Sequence, residues 1–145
     1  MYRGYAGTFE HKLDTKGRMF LPAKFRDRFA EGLVLTMGQE RCLYVWDVPG
    51  FEAFAARLDE APMTNRRARD YQRMLFAGAS DEVPDSQGRV VIPGHLRSYA
   101  SLERECVVIG ARDHVEIWGA AAWSAYLAEN EQSYSDQSEE VFPGF

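Results

Sequence analysis

The sequence predicts an α+β protein in which one unit of strands and helices is laid down twice. Three observations carry that prediction. The stretch DTKGRMFLPAKFR at residues 14–26 returns 71 positions later as DSQGRVVIPGHLR at residues 85–97, so Asp, Gly, Arg, an apolar triplet, Pro and a closing Arg recur at fixed spacing. The echo continues in GQERCLYVW (38–46) and GARDHVEIW (110–118), each followed five residues after its Trp by a second aromatic, Phe51 or Trp123. Apolar periodicity also switches between two and helical spacing in the same order in both halves. An apolar fraction of 46% suffices for a packed interior.

Each element follows from local chemistry. Residues 5–13 alternate, with Tyr5, Gly7, Phe9, His11 and Leu13 on one face, and read as a strand. Asp14, Thr15, Lys16 and Gly17 form a turn in which Asp bonds the backbone two residues on and Gly takes positive φ. Residues 18–21 resume the strand, and Pro22 ends it. Phe25 and Phe29 mark a short helix stopped by Gly32. Residues 33–37 and 42–46 read as a hairpin, and 49–59 as a helix with Phe51, Phe54, Ala55 and Leu58 on its packed face. After Pro62, Thr64 or Asn65 caps a further helix, with Ala68, Tyr71 and Leu75 inward and Arg66, Arg67, Arg69 and Arg73 outward. Solvation accounts for those arginines; contact with phosphate or an acidic neighbour is the functional alternative.

The second half repeats the order, with strands at 90–92, 105–109 and 114–118 and helices at 94–100 and 120–130. Residues 79–84 read only as a lead-in to the second signature. The resulting division is a first repeat at 1–62, a linker helix at 63–79, a second repeat at 80–130 and a flexible acidic tail at 131–145. Within that tail Val141, Phe142 and Phe145 are the residues able to dock on a neighbour.

The net charge of −5 is unevenly placed. Glu129, Glu131, Asp136, Glu139 and Glu140 lie beyond the last basic residue, which leaves 17 of the 22 acidic residues against all 17 basic ones before them. Arg3, Lys12, Lys16, Arg18, Lys24, Arg26 and Arg28 face only Glu10, Asp14 and Asp27, so the N-terminal segment is basic, and local charge governs binding to a polyanion. No apolar run is long enough to span a bilayer and no secretory leader is recognisable, so a cytoplasmic protein is expected.

Enzyme chemistry finds no foothold. Walker A, dinucleotide, serine-elbow, HExxH and CxxC patterns are all missing, and Asp14 and Asp85 sit in turns where a bond to the backbone or to Arg explains them. Cys42 and Cys106 occupy unmatched positions in the two copies and read as buried or idle thiols. His11, His95 and His114 lack ligand spacing, so no metal and no cofactor are expected. The turns are what remain. Gly17 and Gly88 permit close backbone approach, while Arg18 and Arg89 offer a planar fork that suits phosphate or the O6/N7 edge of guanine. Lys16 and Lys12, with Arg3, add charge, and Gln87 makes the second turn less basic. The competing reading is that each Arg merely pairs with the Asp four residues back; the residues alone leave the two evenly balanced.

The duplicated D-x-x-G-R-(apolar)3-P-x-x-x-R, preceded by GTFEHKLD, resembles the MraZ family of bacterial transcriptional regulators, a tandem relative of AbrB-type swapped-hairpin DNA-binding domains. The resemblance spans residues 2–28, 70–79 and 83–118. It implies two tandem swapped-hairpin units forming one pseudo-dimeric, barrel-like core flanked by helices. It also implies that Asp14, Lys16, Gly17, Arg18, Asp85, Gln87, Gly88 and Arg89 face double-stranded DNA. Ring-shaped homo-oligomers, G-rich direct repeats upstream of the protein's own gene in the division and cell-wall cluster, and a nucleoid location are further implications, with neither membrane nor small-molecule substrate. The alternative is a cytoplasmic, antitoxin-like oligomerisation or partner-binding module.

Overall fold

Short alternating strands separated by Gly- and Asp-containing turns set the architecture. The computed structural model describes residues 1–142 and 144. In chain order the elements are β1 (Thr8–Lys12), β2 (Arg18–Phe20), α1 (Arg26–Phe29), β3 (Leu33–Met37), β4 (Leu43–Asp47), α2 (Val48–Leu58), α3 (Arg66–Gly78), β5 (Ser80–Glu82), β6 (Arg89–Val91), α4 (Gly94–Tyr99), β7 (Glu105–Gly110), β8 (Val115–Gly119) and α5 (Ala120–Val141). A 3-10 turn at Ala23–Phe25 leads into α1, and another at Gln39–Arg41 joins β3 to β4.

Six strands form one antiparallel sheet in the order β1-β7-β8-β4-β3-β5, and β2 pairs with β6 as a separate ribbon. The first strand of each copy lies on the third strand of the other, β1 on β7 and β5 on β3. Met19 stands opposite Val90 at the middle of the ribbon, and Tyr44 opposite Glu116 between β4 and β8. Each of those pairs joins equivalent positions of the two copies, so a pseudo-two-fold axis passes through both. The expectation of a mixed α+β fold with a repeated unit therefore holds.

Three layers result. Leu33, Leu35, Leu43, Val45, Val108, Val115 and Ile117 fill one face of the sheet and meet Met19 and Val90 from the ribbon, with Phe25, Phe29 and Leu96 from the short helices. The opposite face carries Trp46, stacked on Phe54 of α2 at 4.7 Å, and Trp118, packed on Trp123 and Tyr126 of α5 at 5.3 and 4.9 Å. Phe51, Phe54, Ala55 and Leu58 are the half-buried stripe of α2, as the periodicity requires.

The structure departs from the sequence reading in four places. Residues 80–82, read as a lead-in, form β5; Ser-Asp-Glu has little strand preference of its own, and pairing with β3 imposes the conformation. The β7–β8 hairpin has one loop residue fewer than β3–β4, so Ala111, not Gly110, occupies the place of Gly38: each donates its N–H to the residue closing its hairpin, His114 or Cys42. Tyr71 is exposed although it shares the face of α3 that buries Leu75 and Gly78, because it lies one turn before the part of the helix that packs on the sheet. The last helix continues past Asn130 to Val141, since residues 128–139 hold helix-forming Ala, Glu and Gln with neither Gly nor Pro. Val141 and Phe142 are exposed, and Phe145 lies outside the described residues.

The N-terminal edge is pinned by backbone pairing. Tyr5 and Arg112 exchange N–H···O bonds of 2.9 Å, Gly110 N donates to Gly7 O at 2.9 Å, and the Tyr5 hydroxyl donates to Asp47 Oδ2 at 2.7 Å. A Cβ at Gly110 would stand 2.2 Å from Ala6 N, inside backbone that cannot yield. Gly110→Ala is expected to destabilise the protein by about 3 kcal/mol in urea melts and to expose the β1 amides to hydrogen exchange; an unchanged midpoint would contradict the packing described.

Beside the axis, His114 Nδ1 lies 2.7 Å from Asp113 Oδ1 and Nε2 lies 3.0 Å from Glu116 Oε2, with Tyr44 and Trp46 rings at 4.4 and 4.8 Å. Two carboxylates facing both ring nitrogens require two donors, hence an imidazolium. Burial opposes that charge, but the hydrogen bonds to Glu116 and Asp113 prevail and raise the pKa above its ordinary value. A raised folded-state pKa gives stability that is complete below about pH 6.5 and is lost as pH rises through the folded value. The melting-temperature gap between wild type and His114→Gln should therefore shrink as pH is raised from 6 to 9; a gap independent of pH would exclude the charged form.

Candidate nucleic-acid interface

Both signature turns are built by the same set of bonds. In the first, Asp14 Oδ1 accepts from the N–H groups of Lys16 and Arg18 at 2.9 Å each, and Oδ2 accepts from Arg18 Nε at 2.8 Å. In the second, Asp85 accepts from Gln87 N, Arg89 N and Arg89 Nε at 2.9, 2.9 and 2.8 Å. Gly17 N and Gly88 N close the turns onto the Asp14 and Asp85 carbonyls, and positive φ of 77° and 84° makes glycine the residue suited to both places. Backbone N–H donation from Arg18 and Arg89 holds the two carboxyls below the usual carboxylate range, with the guanidinium bonds and the Lys16 and Gln87 N–H groups adding to it.

The Asp–Arg pair thus exists, and it engages Nε alone. Among the described residues the terminal nitrogens of Arg18 and Arg89 make no hydrogen bond. A guanidinium tethered through Nε has lost much of its rotamer freedom while its two terminal nitrogens stay unpaired on a partly exposed side chain, which is preorganisation for a planar acceptor. The pairing orients each guanidinium without using its terminal nitrogens.

Strand register brings the two turns onto one surface. Arg18 stands opposite Val91, and Phe20 opposite Arg89. Those four side chains share the outer face of the ribbon, while Met19 and Val90 point into the core. Strand rise and spacing put the Cα atoms of Arg18 and Arg89 roughly 8 Å apart. Lys16 and Gln87 lie exposed on their turns, and exposed Lys12 ends β1 next to the first turn. Arg3 is not brought there: it lies beyond the other end of β1, where its carbonyl accepts from Arg28 Nη1 and Arg28 covers the Tyr5 ring at 3.7 Å.

The close approach allowed at Gly17 is taken up within the molecule. A Cβ there would lie 3.1 Å from the Arg97 guanidinium, and one at Gly88 would lie 3.6 Å from Arg26 Cδ. The closing arginine of each signature therefore rests against the turn of the other copy, anchored by Nε to Ile92 O or Leu21 O at 2.9 Å. Sequence reasoning had not placed Arg26 and Arg97 at the site, although their recurrence at fixed spacing from the turns was the available signal.

Cys42 and Cys106 are free and buried, and burial pushes the Cys106 thiol up to about 11. Among the described residues no cluster of His, Cys, Asp or Glu could hold a metal ion, and no helix is long and apolar enough to cross a membrane.

Two exchanged copies that each present an Asp-held arginine define a tandem-repeat protein class, and comparison with known families gives that class its name. The family model described as "MraZ protein, putative antitoxin-like" matches twice, at residues 5–74 and 75–143, and the chain belongs to this family. Relatives agree over nearly the full length. A protein of Salinispora arenicola named Transcriptional regulator MraZ is 57% identical over 97% of this chain and 99% of its own. Proteins of the same name from Kocuria rhizophila and Thermobifida fusca are each 56% identical over 97% of this chain and 98% of their own.

Because folding depresses the Asp14 and Asp85 pKa values, the order they confer is present above about pH 4 and is lost as pH falls through the lowered folded values. Arg18 and Arg89 Nε–H resonances should stay resolved down to the ordinary carboxylate range and broaden only below it. Asp14→Asn and Asp85→Asn should abolish that acid transition at their own turns; a transition surviving in both variants would assign it elsewhere.

Proposed function

We propose that the protein is a sequence-specific regulator of transcription that binds double-stranded DNA through its two signature turns. The observation that carries the reading is the pair of partly exposed arginines on one face of the ribbon, each held by an aspartate through Nε with its terminal nitrogens unpaired. A two-stranded ribbon enters a major groove as a helix does, and a bidentate Arg contact to guanine contributes about 1–3 kcal/mol of discrimination. Lys16 and Lys12 add phosphate contacts, and Gln87 a weaker polar one. The names of the curated relatives support regulation of transcription.

The exchange of first strands supports reading the two copies as one swapped-hairpin pseudo-dimer of the AbrB type, with a barrel-like core. The resemblance supplies the target: short G-rich direct repeats upstream of the protein's own gene, at the head of the division and cell-wall cluster, within the nucleoid. A single small turn contact is weak. Several copies in a ring-like homo-oligomer, each on its own repeat, gain affinity through effective concentration. Exposed Met63, Tyr71 and Met74 offer apolar surface for such self-association.

The test is fluorescence anisotropy with that upstream duplex and a scrambled one at two salt concentrations. Selective binding that weakens by orders of magnitude with salt is expected. Arg18→Ala should remove selectivity and Arg89→Ala reduce it less, because Gln87 stands where the first turn has Lys16. Binding insensitive to salt and to both variants would favour an antitoxin-like protein-partner module instead.

A further inference from the structure

The outer face of the ribbon holds two side chains that the turn chemistry leaves unused. Phe20 and Val91 are 38% and 46% exposed, on a face otherwise occupied by Arg18 and Arg89. Neither caps a helix nor fills the core; the residue between each and its strand's arginine, Met19 or Val90, does that. Register gives each arginine an apolar neighbour from the opposite copy: Val91 beside Arg18, and Phe20 beside Arg89. The Arg26 guanidinium lies 5.3 Å from the Phe20 ring centroid, which draws a third positive charge to the same face. The surface is cationic with two apolar contacts set among the charges, so its complement is a polyanion that offers apolar points next to hydrogen-bond acceptors.

Base edges in the major groove meet that description at one place. Guanine presents O6 and N7 as acceptors, cytosine an amino donor, adenine an acceptor and a donor, and thymine alone a methyl group. An apolar side chain pressed on any of the polar edges would strip it of water without replacing its hydrogen bonds, a net cost. On a thymine methyl it removes apolar surface from water on both sides. We propose that Phe20 and Val91 are specificity-determining residues that contact thymine C5-methyl groups at base pairs neighbouring the guanines met by Arg89 and Arg18. This rests on the DNA-binding reading above and adds a second kind of base to it. Each half of the surface then selects guanine together with a nearby thymine, one base through donors and the other through a methyl.

The contrast between thymine and uracil isolates that methyl. Anisotropy titrations compare wild type on the upstream duplex with the same duplex carrying uracil in place of every thymine, and repeat both with Phe20→Ala, Val91→Ala and the double variant. Wild type is expected to bind the uracil duplex about fourfold more weakly for each methyl contacted. The double variant should bind both duplexes equally, at the level of wild type on uracil, and each single variant should lose part of the difference. Both positions are solvent-facing, so thermal melts should show folded variants; the wild-type comparison is independent of any substitution. Selective binding by wild type with equal affinity for both duplexes overturns this proposal and leaves the DNA reading intact. A thymine preference undiminished in the double variant places the methyl contact on other residues and likewise overturns it. Dissociation of an assembly in the double variant, with the thymine preference kept, would seat a second copy on the ribbon instead. Absence of any selective complex with wild type overturns both readings together.

Discussion

The structure depends on the exchange of first strands. Neither copy completes the sheet from its own residues, because among the described residues β1 pairs with β7 and β5 with β3, each across the copies. A strand left without a partner leaves backbone groups unsatisfied wherever it is buried, so the two halves fold around each other. The ribbon follows from the same constraint, since β2 and β6 bond to each other across the axis. Both turns are consequently fixed in distance and direction by the core beneath them, and a rigid base is what a short arginine contact needs to have a defined geometry.

Two copies under one pseudo-symmetry have not stayed equal. The turns keep matching hydrogen bonds while their charge differs at Lys16 and Gln87. Phe20 faces outward on one strand and Val91 on the other. His114, held by two carboxylates, occupies the place that Cys42 has in the first copy. The first copy's hairpin is a residue longer, and both Glu40 and Arg41 take positive φ there, against Arg112 alone in the shorter one. Symmetry is retained in the strand pairing and relaxed at the turns, on the outer face of the ribbon and at the position shared by Cys42 and His114.

Most of the fold was legible because the signature and the period-two stretches are strong local signals. Residues 33–37 and the Asn65 cap of α3 lie where the pattern puts them, and β4 and α2 differ from it by about one residue at each end. What was not legible is set by contacts distant in sequence. The conformation of β5 comes from β3, the exposure of Tyr71 from its place one turn before the packed end of α3, and the offset of Gly110 from a loop length that a constant spacing conceals. The site divides in the same way. Local spacing showed that Asp14 to Arg18 and Asp85 to Arg89 form matching turns and left their role open, whereas the resting of Arg97 on Gly17 and the pairing of Arg18 with Val91 exist only once the strands have been exchanged.

Covalent joining of the two halves has a consequence for direction. A dimer of identical chains has no front or back along the line joining its two contact points, and either orientation on a target is equivalent. Here Arg18 with Val91 and Arg89 with Phe20 are unlike ends of one rigid surface, so the molecule carries a polarity. On the proposed DNA reading, a chain laid on a duplex points one way along it, and neighbouring chains on repeats of the same sense all point alike. A head-to-tail row is the arrangement natural to such a molecule, where an undivided symmetric dimer would call for inverted sites.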